Sequence, residues 1–189
     1  ADLPPLEIQY KDFAVWQRAL IEARQDELVS YWKTRLADIT PLQMPTDYPR
    51  PVDIDYQGAS VAFTLPNELK ALSTEYNVTP YAILLAGLAM TLSRYTGQTD
   101  LTIGTPVANR QHPQLAHLIG FFVNTLVLRI QLDSSHTLSQ CIIQIQENLI
   151  EAQLHQDMPF EKLVDELGVE RDTSRHPIFQ VMYTVQYSD

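Results

Sequence analysis

Between residues 79 and 97 the chain specifies a helix with both ends punctuated: Thr79 can cap it, Pro80 suits the first helical position and Gly97 supplies the stop. Apolar side chains wrap most of its circumference, so this helix must be covered on several sides. Its longest apolar run, 82–90, falls far short of the ~20 residues that cross a bilayer, so the cover is protein. Directly after it, Leu101, Ile103, Thr105 and Val107 alternate with the period of a strand. A helix that needs partners beside a strand with a buried face implies layers of helix on sheet.

The remaining chain repeats that alternation. Phe13, Trp16 and Leu20, then Leu28, Tyr31, Trp32 and Leu36, mark two amphipathic helices that lay aromatics on a neighbour. Pro41, Pro45, Pro49 and Pro51 make 40–58 an extended crossing loop. Val61, Phe63 and Leu65 alternate into a strand with one buried face, and Pro66 opens a helix. A short helix at 114–118 leads to a longer strand over 121–132. A helix over 138–153 follows, with Leu138, Cys141, Ile142, Ile145 and Leu149 as its core stripe. Phe160, Leu163, Val164 and Leu167 with Gly168 behind them predict a shorter helix, and 178–187 a final strand. There is no internal repeat, so the expected class is α/β, a mixed sheet flanked by helices, in one unit over 1–189.

Several functions are excluded by what such chemistry needs. Thirteen basic against 23 acidic residues give a net charge of -10, the wrong sign for a phosphate backbone or an anionic membrane surface. There is no GxGxxG, no Gly-rich loop ending in Lys-Ser or Lys-Thr, and no G-x-S-x-G elbow. His112, His117, His136, His155 and His176 never stand at metal-binding spacing, and the lone Cys141 can form neither an internal disulfide nor a thiolate cluster. No metal site is expected. Single-cysteine usage and an N-terminus with neither a basic start nor an apolar signal core predict a cytoplasmic setting.

Asn124 shares a strand face with Phe122, Leu126, Leu128, Ile130 and Leu132, an amide on an apolar wall. Left unpaired there it would cost ~1–3 kcal/mol, so it should hold a backbone or a ligand partner. Arg129, on the opposite face, should pair with a carboxylate, with Asp157 and Glu161 as the options. In the run from His155 to Glu161, Asp157 can cap the next helix, Pro159 suits its first turn and Glu161 complements its positive end. His155, at the end of the preceding helix, is favoured there in its charged form and is a further acid–base option.

Four stretches together resemble the condensation domain of nonribosomal peptide synthetases, and specifically its C-terminal half. They are YKDFAVW from Tyr10 to Trp16, IGFFVNTLVLR from Ile119 to Arg129, HQDMPFE from His155 to Glu161, and RDTSRHPIFQ from Arg171 to Gln180. Any one is weak; four in this order are specific. The resemblance implies a chloramphenicol-acetyltransferase-like fold, two similar lobes in a V with the active site in a tunnel between them, this chain being the second lobe. It implies amide formation in antibiotic and other secondary-metabolite synthesis. The partners are an upstream donor and a downstream acceptor, each tethered to the phosphopantetheine arm of a peptidyl carrier protein, with an adenylation domain adjacent. No cofactor is bound directly.

In that family an HHxxxDG motif in the first lobe supplies the histidine that positions or deprotonates the amine, and no histidine pair occurs in this sequence. The chain therefore reads as truncated at both ends, with the N-terminal lobe as its partner, and as nearly inert alone. The resemblance places Asn124 on the tunnel side, Tyr10 and Trp16 in packing at the lobe junction, and Arg129, Asp157, Arg171 and Asp172 in structural roles. Arg171, Asp172 and Arg175 lean towards the subtype that accepts an L-configured donor. The alternative is a non-catalytic module of the same fold that docks a carrier protein or a tailoring enzyme.

Overall fold

The computed structural model describes residues 5–65, 68–169 and 172–186. Its elements run α1 (Tyr10–Ala23), α2 (Gln25–Arg35), α3 (Leu69–Tyr76), α4 (Pro80–Thr96), β1 (Asp100–Val107), a 3-10 turn (Pro113–Leu115), β2 (Asn124–Gln131), α5 (Leu138–Leu154), α6 (Phe160–Leu167) and β3 (Val181–Met182). The punctuation read from the sequence sets the ends. Thr79 accepts the Ala82 N–H at 3.2 Å, Gly97 closes α4 at φ 72°, and Gly168 closes α6 at φ 61°. Thr137 caps α5, with Gln140 reaching back to its backbone N–H at 2.8 Å.

The sheet order is β2-β1-β3. β1 and β2 are antiparallel, from Asp100 opposite Gln131 to Val107 opposite Asn124, and β3 lies parallel to β1 at Ile103 and Gly104. Strand alternation gives the sheet two faces. Leu101, Ile103, Leu126, Leu128 and Ile130 join α4 (Ala82, Leu85, Ala86, Ala89) and α5 (Ile142, Ile145, Leu149) in one buried cluster. At ~1.5–3 kcal/mol for each large side chain removed from water, this cluster is the main source of cohesion. Across this interface the Tyr81 hydroxyl meets Thr105 Oγ1 at 2.6 Å, and burial pushes the Tyr81 phenol up from its ordinary range. Burial likewise raises the Cys141 thiol, which leaves it neutral and packed as a small apolar group.

The opposite face of β1 carries the loop 176–180. Thr102 Oγ1 donates to the Ile178 carbonyl at 2.7 Å, and the Phe179 ring lies where a side chain on Gly104 would stand. A glycine inside a strand here serves the close approach of a neighbouring ring. A second, smaller cluster of Phe13, Leu115, Leu118 and Phe122 fastens α1 to the stretch before β2, with the Arg110 guanidinium 4.0 Å over the Phe122 ring.

Several expectations are corrected. The 61–65 alternation forms no strand: Val61 and Phe63 are 86% and 79% exposed, because nothing among the described residues pairs with them. The helix start at Pro66 lies outside the described residues. The strand expected over 121–132 begins only at Asn124, since its partner β1 ends at Val107. The final strand shrinks to two residues because Ile178 turns the chain at φ 68°, and its expected end, Tyr187, lies outside the described residues. The helix at 114–118 is a single 3-10 turn, and Leu138, first in its helix, is exposed rather than part of the core stripe.

Candidate functional site

Three of the residues that drew attention in the sequence, Asn124, His155 and Asp157, meet at one turn, 155–159, where α5 ends and α6 begins. Its anchor is Asn124, the first residue of β2. The Asn124 amide donates through Nδ2 to the carbonyls of Gln156 (2.9 Å) and Met158 (2.7 Å), and Oδ1 accepts the Phe160 N–H at 3.1 Å. A strand start thus satisfies two turn carbonyls and an orphan N–H at the mouth of a helix. Of the two partners open to Asn124, backbone holds three of its hydrogen-bonding positions.

From the other side, Arg24, at the break between α1 and α2, bonds Asp157 at 2.6 Å and Glu27 at 2.7 Å. Asp157 is therefore an ion-pair partner and not the cap expected of it; Pro159 occupies the N-cap position of α6. The Arg24 guanidinium holds the Glu27 carboxyl below the usual carboxylate range. His155 closes the third side: its ring stacks on Tyr31 at 3.6 Å, its Nδ1 meets the Glu151 carbonyl at 2.8 Å, and its own carbonyl accepts the Trp32 indole N–H at 3.1 Å. These contacts give the imidazole a packing role at the α5 terminus.

The turn is coupled onward by rings. Phe160 lies 5.6 Å from His176 and 5.5 Å from Phe179, and His176 stacks on Phe179 at 4.6 Å, so β2, the turn and the 172–180 loop form one contiguous wall. In that loop Asp172 accepts from the Ser174 hydroxyl (2.6 Å) and backbone (2.8 Å) and pairs with Arg175 at 2.6 Å. Those bonds, the hydroxyl's first, hold the Asp172 carboxyl below its ordinary value. Thr173 bonds Val52 and Ile54 of the crossing loop, and a cleft of about 870 Å³ opens between that loop and 172–180, away from Asn124. Arg171 lies outside the described residues.

Tyr10 covers Gly120 with its ring and donates its hydroxyl to the Phe121 carbonyl at 2.8 Å, while Trp16, 41% exposed, sets its edge against His112. Arg129 sits apart from the turn. Its partner is Asp100, at 2.6 Å, and not Asp157 or Glu161, because the β1–β2 register brings Asp100 beside it at the sheet's end. Its remaining donors reach the carbonyls of Arg35 (3.1 Å) and Ala37 (2.7 Å). Arg24, Asp100 and Gly104 were missed in the sequence, whereas Tyr31, read as an aromatic laid on a neighbour, stacks on His155. An isolated glycine amid strand alternation was the signal for Gly104; hairpin register would have found Asp100; Arg24 falls on a helix seam that periodicity does not resolve.

Among the described residues no group of three His, Cys, Asp or Glu gathers as a metal site, and no helix is long and apolar enough to cross a membrane. The arrangement offers a rigid wall of backbone-locked amide and aromatic rings.

The family model described as Condensation domain matches residues 1–189. Phosphinothricin tripeptide synthetase PhsC of Streptomyces viridochromogenes is 42% identical over 98% of this chain, and tyrocidine synthase 3 of Brevibacillus parabrevis 43% identical over 98%. The chain spans 18% and 3% of their respective lengths. Among solved structures, the X-domain from teicoplanin biosynthesis superposes with a TM-score of 0.87 at 29% identity, covering 96% of this chain and 43% of that one. The same X-domain in complex with OxyB gives an equal TM-score of 0.87 at 29% identity, covering 96% of this chain and 42% of that one.

Proposed function

The chain belongs to the condensation-domain family of nonribosomal peptide synthetases, and from that premise we propose that it builds one wall of a site that forms amide bonds between carrier-tethered substrates. In this reading the amine of the acceptor attacks the carbonyl of a donor acyl or peptidyl thioester. The C–N bond forms as the C–S bond breaks, the amine loses a proton, and the thiol of the donor phosphopantetheine arm departs. Both arms are substrates brought by carrier proteins, and the histidine that positions or deprotonates the amine comes from the polypeptide that completes the domain.

The observation that carries this reading is the Asn124 clamp. It joins the IGFFVN and HQDMPFE stretches, far apart in sequence, into one rigid surface. Reactions between two bound partners gain most from pre-set positions, and a wall whose amide is already locked does not reorganise when the thioester arrives. Asn124 is our tunnel-side residue, with Tyr10 and Trp16 as packing at the junction.

The test supplies the complementing polypeptide in cis or in trans, with two loaded carriers. Amide product is expected with the pair and not with this chain alone; persistent inactivity of a folded, complete domain across varied substrates would count against the proposal. In that complete domain Asn124→Ala is expected to lower thermal stability, by freeing two carbonyls and an N–H at about 1–3 kcal/mol of desolvation each if all stay dry, and to lower turnover further than the folded fraction falls. Unchanged turnover in a stably folded variant removes Asn124 from the tunnel. The rival reading, a docking module without catalysis, is favoured by the similarity to an X-domain whose structure with OxyB is known. It is told apart by partner capture without amide product.

A further inference from the structure

We propose that a cavity at the Asn124 end of the β1–β2 ladder, between the start of α4 and the second half of α5, receives the side chain of one carrier-tethered amino acid. It selects an uncharged side chain with a short apolar stem and a hydrogen-bonding tip. The cavity holds about 300 Å³, the lower limit for small-molecule sites. Its wall belongs to α4 and its cap, β1, β2 and α5, so it is built without residues near either end of the chain.

Its position follows from the register. Val107 lines it and faces Asn124 across the ladder, and Leu126 stands two residues along β2 on the same strand face as Asn124. Gln153 carries the wall into the last turn of α5, beside the turn that Asn124 holds. A side chain entering here therefore lies next to the amide-locked wall.

Its chemistry follows from the lining. Leu126 and Leu149 are buried and give an apolar floor. The Tyr81 and Thr105 hydroxyls meet at 2.6 Å. Two hydroxyls own two hydrogens and the bond between them spends one; among the described residues neither oxygen has another partner, so one donor remains for a guest. Thr105 is 5% exposed, too deep to spend it on bulk water. Gln146 commits its Oε1 to the Thr79 N–H (2.9 Å) and hydroxyl (2.7 Å), which leaves its Nε2 as a second donor. No Asp, Glu, Lys, Arg or His lines the cavity, so a charged guest would lose its water without a counter-charge. Core voids are small and apolar; hydroxyls and an amide over a leucine floor form a binding pocket instead.

The inference rests on the amide-forming reading, and its test separates the two. In the complete domain, threonine, valine and glycine are loaded in turn on the acceptor carrier with the donor fixed, then on the donor carrier with the acceptor fixed. Threonine is expected to exceed valine about 10-fold in kcat/KM in one arm, the effect of one hydrogen bond between side chains of equal shape, and the responding arm identifies the carrier that the pocket serves. Thr105→Val is expected to bring that ratio close to one. Val107→Phe, which fills the cavity, is expected to cut the threonine-to-glycine ratio at least about 10-fold. Melting curves establish that both variants fold; should Val107→Phe not, Thr105→Val carries the test. Ratios that folded variants leave unmoved in both arms would overturn the pocket while amide formation stands. If the complete domain forms no amide, binding of carriers bearing stable amide-linked threonyl- and glycyl-pantetheine is the readout. A threonyl preference lost in the variants sustains the pocket and defeats the catalytic reading, and equal binding of the two overturns the pocket as well.

Discussion

Trp32→Ala is expected to destabilise the folded chain by about 3–5 kcal/mol, the range for emptying the site of a large buried aromatic. The indole is 1% exposed and stands where α2 meets the main cluster. It also does something that no aliphatic can: its N–H donates to the His155 carbonyl, the last residue of the α5 terminus and the first of the turn that Asn124 holds. Trp32→Phe separates the two contributions. It keeps most of the volume and leaves the His155 carbonyl without its donor, for an expected loss of about 1–3 kcal/mol. Urea unfolding of both variants checks the pair. If W32F is as damaging as W32A, the hydrogen bond dominates; if W32A costs less than about 1 kcal/mol, the wall has no dependence on α2.

The second large effect is Arg129→Met, expected to cost about 2–3 kcal/mol. Arg129 is 13% exposed at its side chain, and its loss strands the Asp100 carboxylate together with the carbonyls of Arg35 and Ala37. Asp100 keeps 34% exposure, which tempers the figure through solvent screening. The pair also carries a pH signature. Arg129's hydrogen bonds, more than its charge, hold the Asp100 carboxyl below its ordinary value. The unfolded chain therefore binds a proton there more readily than the folded one. The stabilisation is present in full above the ordinary aspartate range, near roughly pH 4, and drains away as pH falls through it towards the lower folded value. Stability of the parent should fall more steeply with acid than that of R129M, so that the two curves approach one another. Curves that stay parallel from neutral pH down to about pH 3 would show that the pair contributes nothing.

Helices α4, α5 and α6 were legible because their caps are local chemistry: Thr79 with Pro80, Thr137 with Gln140, and Gly97 and Gly168 at left-handed exits. Strands β1 and β2 were each legible from alternation, β2 within a few residues at one end, while their antiparallel pairing was not. Strand limits were not, because a strand ends where its partner ends, and Val107 decides where Asn124 begins pairing. Nor was the turn of Ile178, a β-branched residue at positive φ that no propensity favours; Thr102 and the ring of Phe179 over Gly104 hold it there. For the site, the sequence singled out Asn124 as an amide needing partners, and the partners were unreadable because they are carbonyls 32 and 34 residues away. Pairing choices for Arg129 and Asp157 failed for the same reason: which carboxylate meets which guanidinium is settled by register and by the α1–α2 seam.

The separateness of the small aromatic cluster has a thermodynamic meaning. Phe13, Leu115, Leu118 and Phe122 share no buried member with the body built on the sheet. Cohesion of α1 is accordingly a local quantity, set by four side chains, the Tyr10 hydroxyl on the Phe121 carbonyl and the arginine lid over Phe122. Fluctuations can detach this corner as a subglobal unit while the antiparallel hairpin remains closed, so that the flank bearing Ile119 and Phe121 breathes on its own clock.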